Sequence, residues 1–180
     1  MKIVWAVLLA CLVYAEGTSK AFSETYRDMS MPMTPVGELD VGRYTGRWYE
    51  IARFPNRFER GCEAVTADYA LRKDGKISVT NACRQGAPDG LRKVAEGIAR
   101  VDAPGRLSFT FVPWLPFARG DYWVLFVDED YELAVVGAPK GTTRWILARN
   151  PTISAKARAA AEAVLTQNGY DVSRLRNVRH

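Results

Sequence analysis

Histidine is almost missing from this chain. Among 180 residues only His180, the last, carries an imidazole. A histidine base, a histidine-ligated metal or a Ser-His pair inside a folded site is therefore close to excluded. Long apolar runs are missing as well: Ile3 to Val13 spans about eleven residues, short of the roughly 20 that cross a bilayer as a helix. Charge of one sign is not concentrated, since 25 Lys+Arg against 20 Asp+Glu leave only +5. Nucleic-acid binders of this length carry a larger, clustered excess, so the surplus points more weakly to acidic lipids or small anions. What is present, 48% apolar and 25% charged residues, describes one or at most two globular domains and no disordered, fibrous or polytopic chain. A chain of this size buries roughly 70% of its unfolded surface, enough for one core, or for a core wrapped around a cavity.

The opening residues read as an export signal: Lys2, the apolar stretch, then Val13-Tyr14-Ala15, whose small last residue suits a signal peptidase. Residues 1–15 are accordingly a signal peptide. A rival reading takes Leu8-Leu9-Ala10-Cys11 as a lipoprotein signal, with an acyl chain on Cys11 holding the protein to a membrane. After removal of residues 1–15, Cys62 and Cys83 are the remaining thiols, and an even pair in an exported protein favours a disulfide. Residues 16–40 hold Gly17, Pro32 and Pro35 without sustained periodicity, the signature of a flexible N-terminal segment. The folded domain is expected over 41–180.

From 41 to 150 the pattern is β-rich, broken by turn signals every 10 to 15 residues. Eight strands are expected, near Arg47 to Phe54, Glu63 to Leu71, Ile77 to Ala82, Lys93 to Val101, Leu107 to Val112, Tyr122 to Val127, Glu132 to Val136 and Thr143 to Ala148. Lys73-Asp74-Gly75-Lys76 and Asp102-Ala103-Pro104-Gly105 have tight-turn chemistry, and Asp128-Glu129-Asp130 is a polar break. Consecutive hairpins imply an antiparallel meander, as a barrel or a sandwich. One helix is predicted over Ala155 to Gln167, with Ser154 as N-cap and Gly169 placed to end it. Its Ala157, Ala161, Val164 and Leu165 fall on one side, suited to packing on the outside of the sheet.

Alternation puts Val65, Ala67, Tyr69 and Leu71 on one face, Leu107, Phe109 and Phe111 on another, and Trp145, Leu147 and Arg149 on a third. Eight antiparallel strands close into a barrel that is either filled by side chains or holds one small ligand. Small inward candidates, Ala52, Ala67, Ala95, Gly97 and Ala99, would leave room. Alternation alone does not choose between a solid core and a ligand site.

The run from Val41 to Pro55, with Gly46-Arg47-Trp48 at its centre, resembles the opening Gly-x-Trp block of the lipocalins, in the branch of the bacterial lipocalin Blc and apolipoprotein D. Tyr122-Trp123-Val124-Leu125 through Asp128-Glu129-Asp130-Tyr131-Glu132-Leu133-Ala134 is similar to that branch's sixth and seventh strands, and Trp145 to Pro151 to its closing block. The likeness covers about 41–175. It implies an all-β fold, an eight-stranded antiparallel up-and-down β-barrel with one C-terminal α-helix packed outside. It also implies closure at one end by Gly46, Trp48 and Arg149, the guanidinium lying across the indole. Glu50, on the Trp48 face, reads either as a buried carboxylate acting on ligand or, in preference, as a hydrogen-bonded structural group near that closed end, without an evident partner.

Chain direction then puts Pro55 to Gly61, Arg84 to Arg92, Pro113 to Gly120 and Ala138 to Thr142 at the open end. These loops and their borders collect Arg53, Arg57, Arg60, Arg84, Arg92, Lys93, Arg119, Lys140 and Arg144, a basic rim. Such a rim above an apolar cavity suits an amphiphile with an anionic head. Trp114, Leu115 and Phe117 in the same rim gate the cavity, touch a membrane surface, or pack on the rim itself. The expected pocket is Tyr69, Phe109, Phe111, Phe126 and Trp145, with Ala67 and Leu147 as walls. Of these, Tyr69 and Trp145 match positions that contact ligand in the apolipoprotein D-like branch, and Phe126 would turn outward on a one-residue slip. Simple pairing about Asp74-Gly75 sets Cys83 opposite residue 66, so a Cys62–Cys83 bridge requires the chain before Val65 to bulge back.

The resemblance implies a non-enzymatic carrier of small hydrophobic molecules, fatty acids or lysophospholipids first, with a role in envelope lipid upkeep and periplasmic or outer-membrane placement. With one terminal histidine, a mild net charge and no full acid-base or nucleophilic constellation, no cofactor, metal site, catalytic residue or nucleic-acid partner is expected. A lipocalin-type enzyme acting on a lipophilic substrate, and a haem- or protein-binding module, stand as alternatives. A free thiol at Cys62 or Cys83 would favour the enzyme.

Overall fold

The computed structural model describes residues 25–115 and 118–180. Residues 1–15, expected as a signal peptide and holding Cys11, and Phe117 lie outside the described residues. A closed antiparallel up-and-down barrel is formed by β1 (Gly46–Arg53), β2 (Cys62–Leu71), β3 (Ile77–Gln85), β4 (Arg92–Ala103), β5 (Arg106–Thr110), β6 (Gly120–Val127), β7 (Leu133–Gly137) and β8 (Arg144–Ala148). Each strand pairs with the next, and β1 closes the ring against both β2 and β8. A short α1 (Val41–Tyr44) precedes β1, and α2 (Ala155–Gln167) follows β8. The helix begins where Ser154 accepts the Ala157 N–H, and ends as Gly169 adopts a φ of +83°. The hairpin turns behave as their composition dictates. Asp74 accepts the Lys76 N–H, and Asp128 accepts the N–H groups of Glu132 and Leu133, so each polar break saturates its own backbone.

Two apolar clusters share the sheet between them. The inner one holds Trp48, Ile77, Val79, Leu107, Tyr122, Val124, Val136 and Leu147. The outer one joins Ile51, Phe54, Leu125, Val135 and Ile146 to Ala161 and Leu165 of α2, with Ala157 and Val164 packed alongside. The lone helix thus gains its stability from the barrel wall.

Of the four register shifts among the described strands, three bear on the site. One between Glu50 and Ala52 sends Ala52 into the outer cluster instead of the barrel. Another between Val124 and Phe126 does the same to Phe126, which packs against the outer cluster and leaves the expected pocket. A bulge adds one residue to a strand, so everything beyond it changes face. The third, between Glu63 and Thr66, contains Ala64 at a φ of +46°. It is the backward curl required for the cysteines: Cys62 and Cys83 come to 5.4 Å between Cα atoms and are joined in a disulfide. The bridge closes a loop of 21 residues, for which chain entropy gives about 3 kcal/mol. Reduction, or Cys62→Ser with Cys83→Ser, should lower the unfolding free energy by roughly that amount; a urea midpoint that does not move would refute the bridge's stabilising role.

Residues 25–40, expected as part of a flexible segment, form an ordered strap. Tyr26 and Arg27 are buried, and the strap bonds in turn to Gly141, Gly169 and Val124 along the barrel's outside. Its contacts come from scattered single residues, which leaves no periodic signal. Arg144 pins it: the fully buried guanidinium lies against the rings of Tyr26, Phe54 and Tyr170, 4.2 to 4.8 Å from their centroids. At the other terminus β9 (Arg176–Asn177) pairs with β1. Val178 donates to the Ile51 carbonyl and Ala64 to that of Arg179, so the last residues fill the gap where β1 and β2 part towards the mouth. Buried Glu63 holds them by accepting from the Arg179 N–H and the Arg176 guanidinium.

Candidate functional site

The closed end is built on Trp48. Its indole is fully buried and donates to the Tyr44 carbonyl at 2.8 Å. The Arg149 guanidinium covers the ring, 3.9 Å from its centroid, and donates to the carbonyls of Tyr131, Arg47 and Arg43. Gly46 sits at a φ of +93°, and a Cβ there would come within 3.2 Å of Arg149 Nη1. One guanidinium therefore satisfies three carbonyls of two chain segments and caps the floor of the barrel.

Above that floor the inner wall carries Ala67, Tyr69, Phe109, Phe111, Trp145 and Leu147. Leu147 is buried, while the other five stay half-buried although they face inward. In a filled core, rings of this size would keep no accessible surface. Gly97 leaves room as expected, and the Phe111 ring takes it: a Cβ on Gly97 would meet that ring at 2.9 Å.

The wall is not uniformly apolar. Tyr44 and Tyr122 hydroxyls lie 2.8 Å apart, and Tyr69 donates to Tyr122 at 3.1 Å, a chain of phenols just above Trp48. Burial raises all three phenol pKa values, that of Tyr69 to about 12. Nearer the mouth, buried Glu50 accepts from Arg53 Nη1 at 2.7 Å. Arg53 Nη2 also donates to the carbonyls of Glu59 and Cys62. The Glu59 carboxylate accepts from Trp145 Nε1 at 3.1 and 3.2 Å and from Asn56. Burial, then the negative field of Glu59 and a hydrogen bond with it, hold the Glu50 carboxyl well above the ordinary glutamate range; Arg53 pulls the other way and is outweighed.

These positions correct two expectations. Glu50 is not a partnerless group by the closed end but half of a buried ion pair on the mouth side of Trp48. Nor do Arg53 and Arg144 belong to the rim: Arg53 is turned into the barrel and Arg144 lies under the strap, both nearly or wholly without exposure. Arg57, Arg60, Arg92, Lys93, Arg119 and Lys140 are exposed at the mouth, and Arg84 is half-buried beside Gly90. Tyr122, Tyr44 and Glu59 were missed. The alternation of Tyr122 with Val124 was readable, but nothing local marks Glu59, which a loop folds inward.

The cysteines are bonded to each other, which leaves no free thiol among the described residues. His180 stands on the outer wall, its Nε2 2.9 Å from the Glu50 carbonyl and its ring against Tyr49.

Residues 39–180 match the family model described as a lipocalin-like domain. The chain belongs to the lipocalin family. It is 44% identical over 144 residues to the outer membrane lipoprotein Blc of Escherichia coli strain K12, covering 79% of this chain and 80% of that protein. Apolipoprotein D of Mus musculus is 35% identical over 158 residues, covering 80% and 79%. Among solved structures, insecticyanin from the tobacco hornworm Manduca sexta superposes with a TM-score of 0.64 at 20% identity, covering 83% of this chain and 86% of that one, a likeness of fold alone. As a lipocalin the chain is a binder of small hydrophobic molecules. Gly46, Trp48 and Arg149 meet at the closed end, Tyr69, Phe109, Phe111 and Trp145 share the inner wall, and Phe126 packs outside it.

Proposed function

We propose that this lipocalin is a non-enzymatic carrier of acyl amphiphiles, fatty acids or lysophospholipids, in the exported envelope compartment. The observation that carries the reading is the half-buried inward ring set of Tyr69, Phe109, Phe111 and Trp145, with Ala67 and Leu147 beside it. An acyl chain among these rings is removed from water, and an anionic head at the mouth meets Arg57, Arg60, Arg92, Lys93 and Arg119. Arg53 takes no part in that attraction, because it is buried and engaged by the Glu50 carboxyl and the carbonyls of Glu59 and Cys62. Export follows from the signal-like residues 1–15, and the relatives named outer membrane lipoproteins support an envelope location. Peripheral membrane contact through Trp114, Leu115 and Phe117 is a separate proposal, and acylation of Cys11 is the rival of cleavage after Ala15, which would remove that residue.

Trp145→Ala is the direct test. It removes a ring that stacks on Tyr122 and is held by Glu59, so binding of a fluorescent fatty acid should weaken about tenfold, the scale of a buried aromatic contact, with the circular dichroism spectrum unchanged. Unaltered affinity would take Trp145 out of the pocket.

A further inference from the structure

The largest exposed apolar side chains crowd one end of the barrel. Phe58 is 75% exposed on the β1–β2 loop, Leu91 83% on the β3–β4 loop, and Trp114 77% on the β5–β6 loop, with Leu115 and Val94 partly exposed beside them. In an up-and-down barrel these three loops leave the same end, here the mouth. Water-exposed rings and leucine at three separate loop tips gain nothing for folding. Between the tips stand Arg57, whose guanidinium lies 4.8 Å from the Phe58 ring centroid, and exposed Arg60, Arg92, Lys93, Arg119 and Lys140. The exposed acids of that end are Asp89 and Asp121. The closed end is mixed in charge: Leu71 and Val101 are exposed there, among Asp74 and Asp102 that pair with Arg72, Lys76 and Arg100.

From this we infer that the mouth is a three-pronged docking surface for an anionic lipid bilayer, with Phe58, Leu91 and Trp114 entering the headgroup region and the surrounding cations resting on acidic lipid. The apolar tips supply depth, and the basic collar supplies the charge preference that an uncharged bilayer would not satisfy. Tryptophan suits the boundary, its ring being apolar on the faces and polar at the N–H. Docking this way sets the cavity entrance against the acyl layer, so a ligand passes between membrane and barrel without crossing open water. That last consequence rests on the carrier reading; the docking itself does not.

Vesicle co-sedimentation of the exported Cys11→Ser chain, which cannot be acylated at that position, provides the test. The chain should bind vesicles of phosphatidylglycerol with phosphatidylcholine and lose that binding in high salt, while pure phosphatidylcholine vesicles retain little of it. Adding Phe58→Ser, Leu91→Ser and Trp114→Ser together should lower vesicle partitioning at least tenfold, with the melting temperature and the uptake of a fluorescent fatty acid in solution unchanged. Arg57→Gln with Arg92→Gln should weaken the salt dependence while leaving the apolar contribution. A parent chain that ignores acidic vesicles, or a triple variant that sediments with them as well as the parent, overturns the inference. So does a triple variant that only turns a dimer into a monomer in sedimentation velocity, since a second copy would then be what covers the prongs. If the parent docks yet takes up no fatty acid, the docking surface stands and the carrier reading falls.

Discussion

Arg53→Met should destabilise the protein by about 3 kcal/mol at pH 8 and by clearly less at pH 5, because it strands a buried carboxyl that can escape only by taking a proton. Arg53 and Glu50 are 2% and 4% exposed and 2.7 Å apart, so neither finds water if the other is lost. Arg53 also ties the β1–β2 loop down through the carbonyls of Glu59 and Cys62, a contribution present at both pH values. The direction of the pH effect follows from Glu50. Its folded-state pKa lies well above the unfolded 4.5, so the native state holds the proton more tightly. Its favourable contribution is complete below about pH 4.5 and is lost as pH rises through the raised folded value, with a limiting slope of about 1.4 kcal/mol per pH unit. Removing Arg53 raises that pKa further and enlarges the loss at pH 8. Glu50→Gln in the Arg53→Met background should recover most of the deficit at pH 8, leaving the loop contribution as the remainder. Urea unfolding of the two variants at pH 5 and 8 decides the matter; equal losses for Arg53→Met at both would show that Glu50 is already neutral throughout that range.

Regular alternation made most of this fold legible. The strand and helix positions follow from period and turn chemistry, and α2 begins and ends at the residues its caps dictate. Bulges were where legibility failed. Ala52 and Phe126 sit in stretches that read as continuous strands, yet each lies beyond an extra residue that sends it outward. The bulge at Ala64 was foreseeable only because two cysteines had to meet across a register that kept them apart. Charge was misread for a related reason. Arg53 and Arg144 border mouth loops as the exposed arginines do; Arg53 is turned inward onto Glu50 and the carbonyls of Glu59 and Cys62, and the burial of Arg144 depends on partners distant in sequence, the Tyr26 ring of the strap and the Tyr170 ring beyond α2. The strap itself is held by backbone bonds to Gly141 and Gly169, and such contacts place no demand on side-chain pattern. Within the site, the aromatic wall was readable, whereas the phenol chain depends on how strands far apart in sequence face one another, and the Glu50–Arg53–Glu59 group on the bulge after Glu50 and on the fold of the β1–β2 loop.

Trp48→Ala should cost about 3 to 5 kcal/mol, the usual range for truncating a fully buried aromatic, and should do so without selectively changing ligand choice. The indole fills the barrel floor at zero exposure and ties α1 to β1 through the Tyr44 carbonyl. Its loss also uncovers Arg149, whose planar cation loses the ring face that balances its partial burial. Arg149→Ala should therefore be destabilising in its own right, by leaving the carbonyls of Tyr131, Arg47 and Arg43 short of a donor. Arg149→Lys should rescue little of this, because an ammonium cannot lie flat on the indole while reaching three carbonyls in different directions. The double variant should lose less than the sum of the two single losses, as expected for groups in direct contact. Chemical denaturation of the four chains reads out the coupling. If Trp48 and Arg149 prove additive, the ring and the guanidinium hold their two chain segments independently, and the floor is not the single closure that its geometry describes.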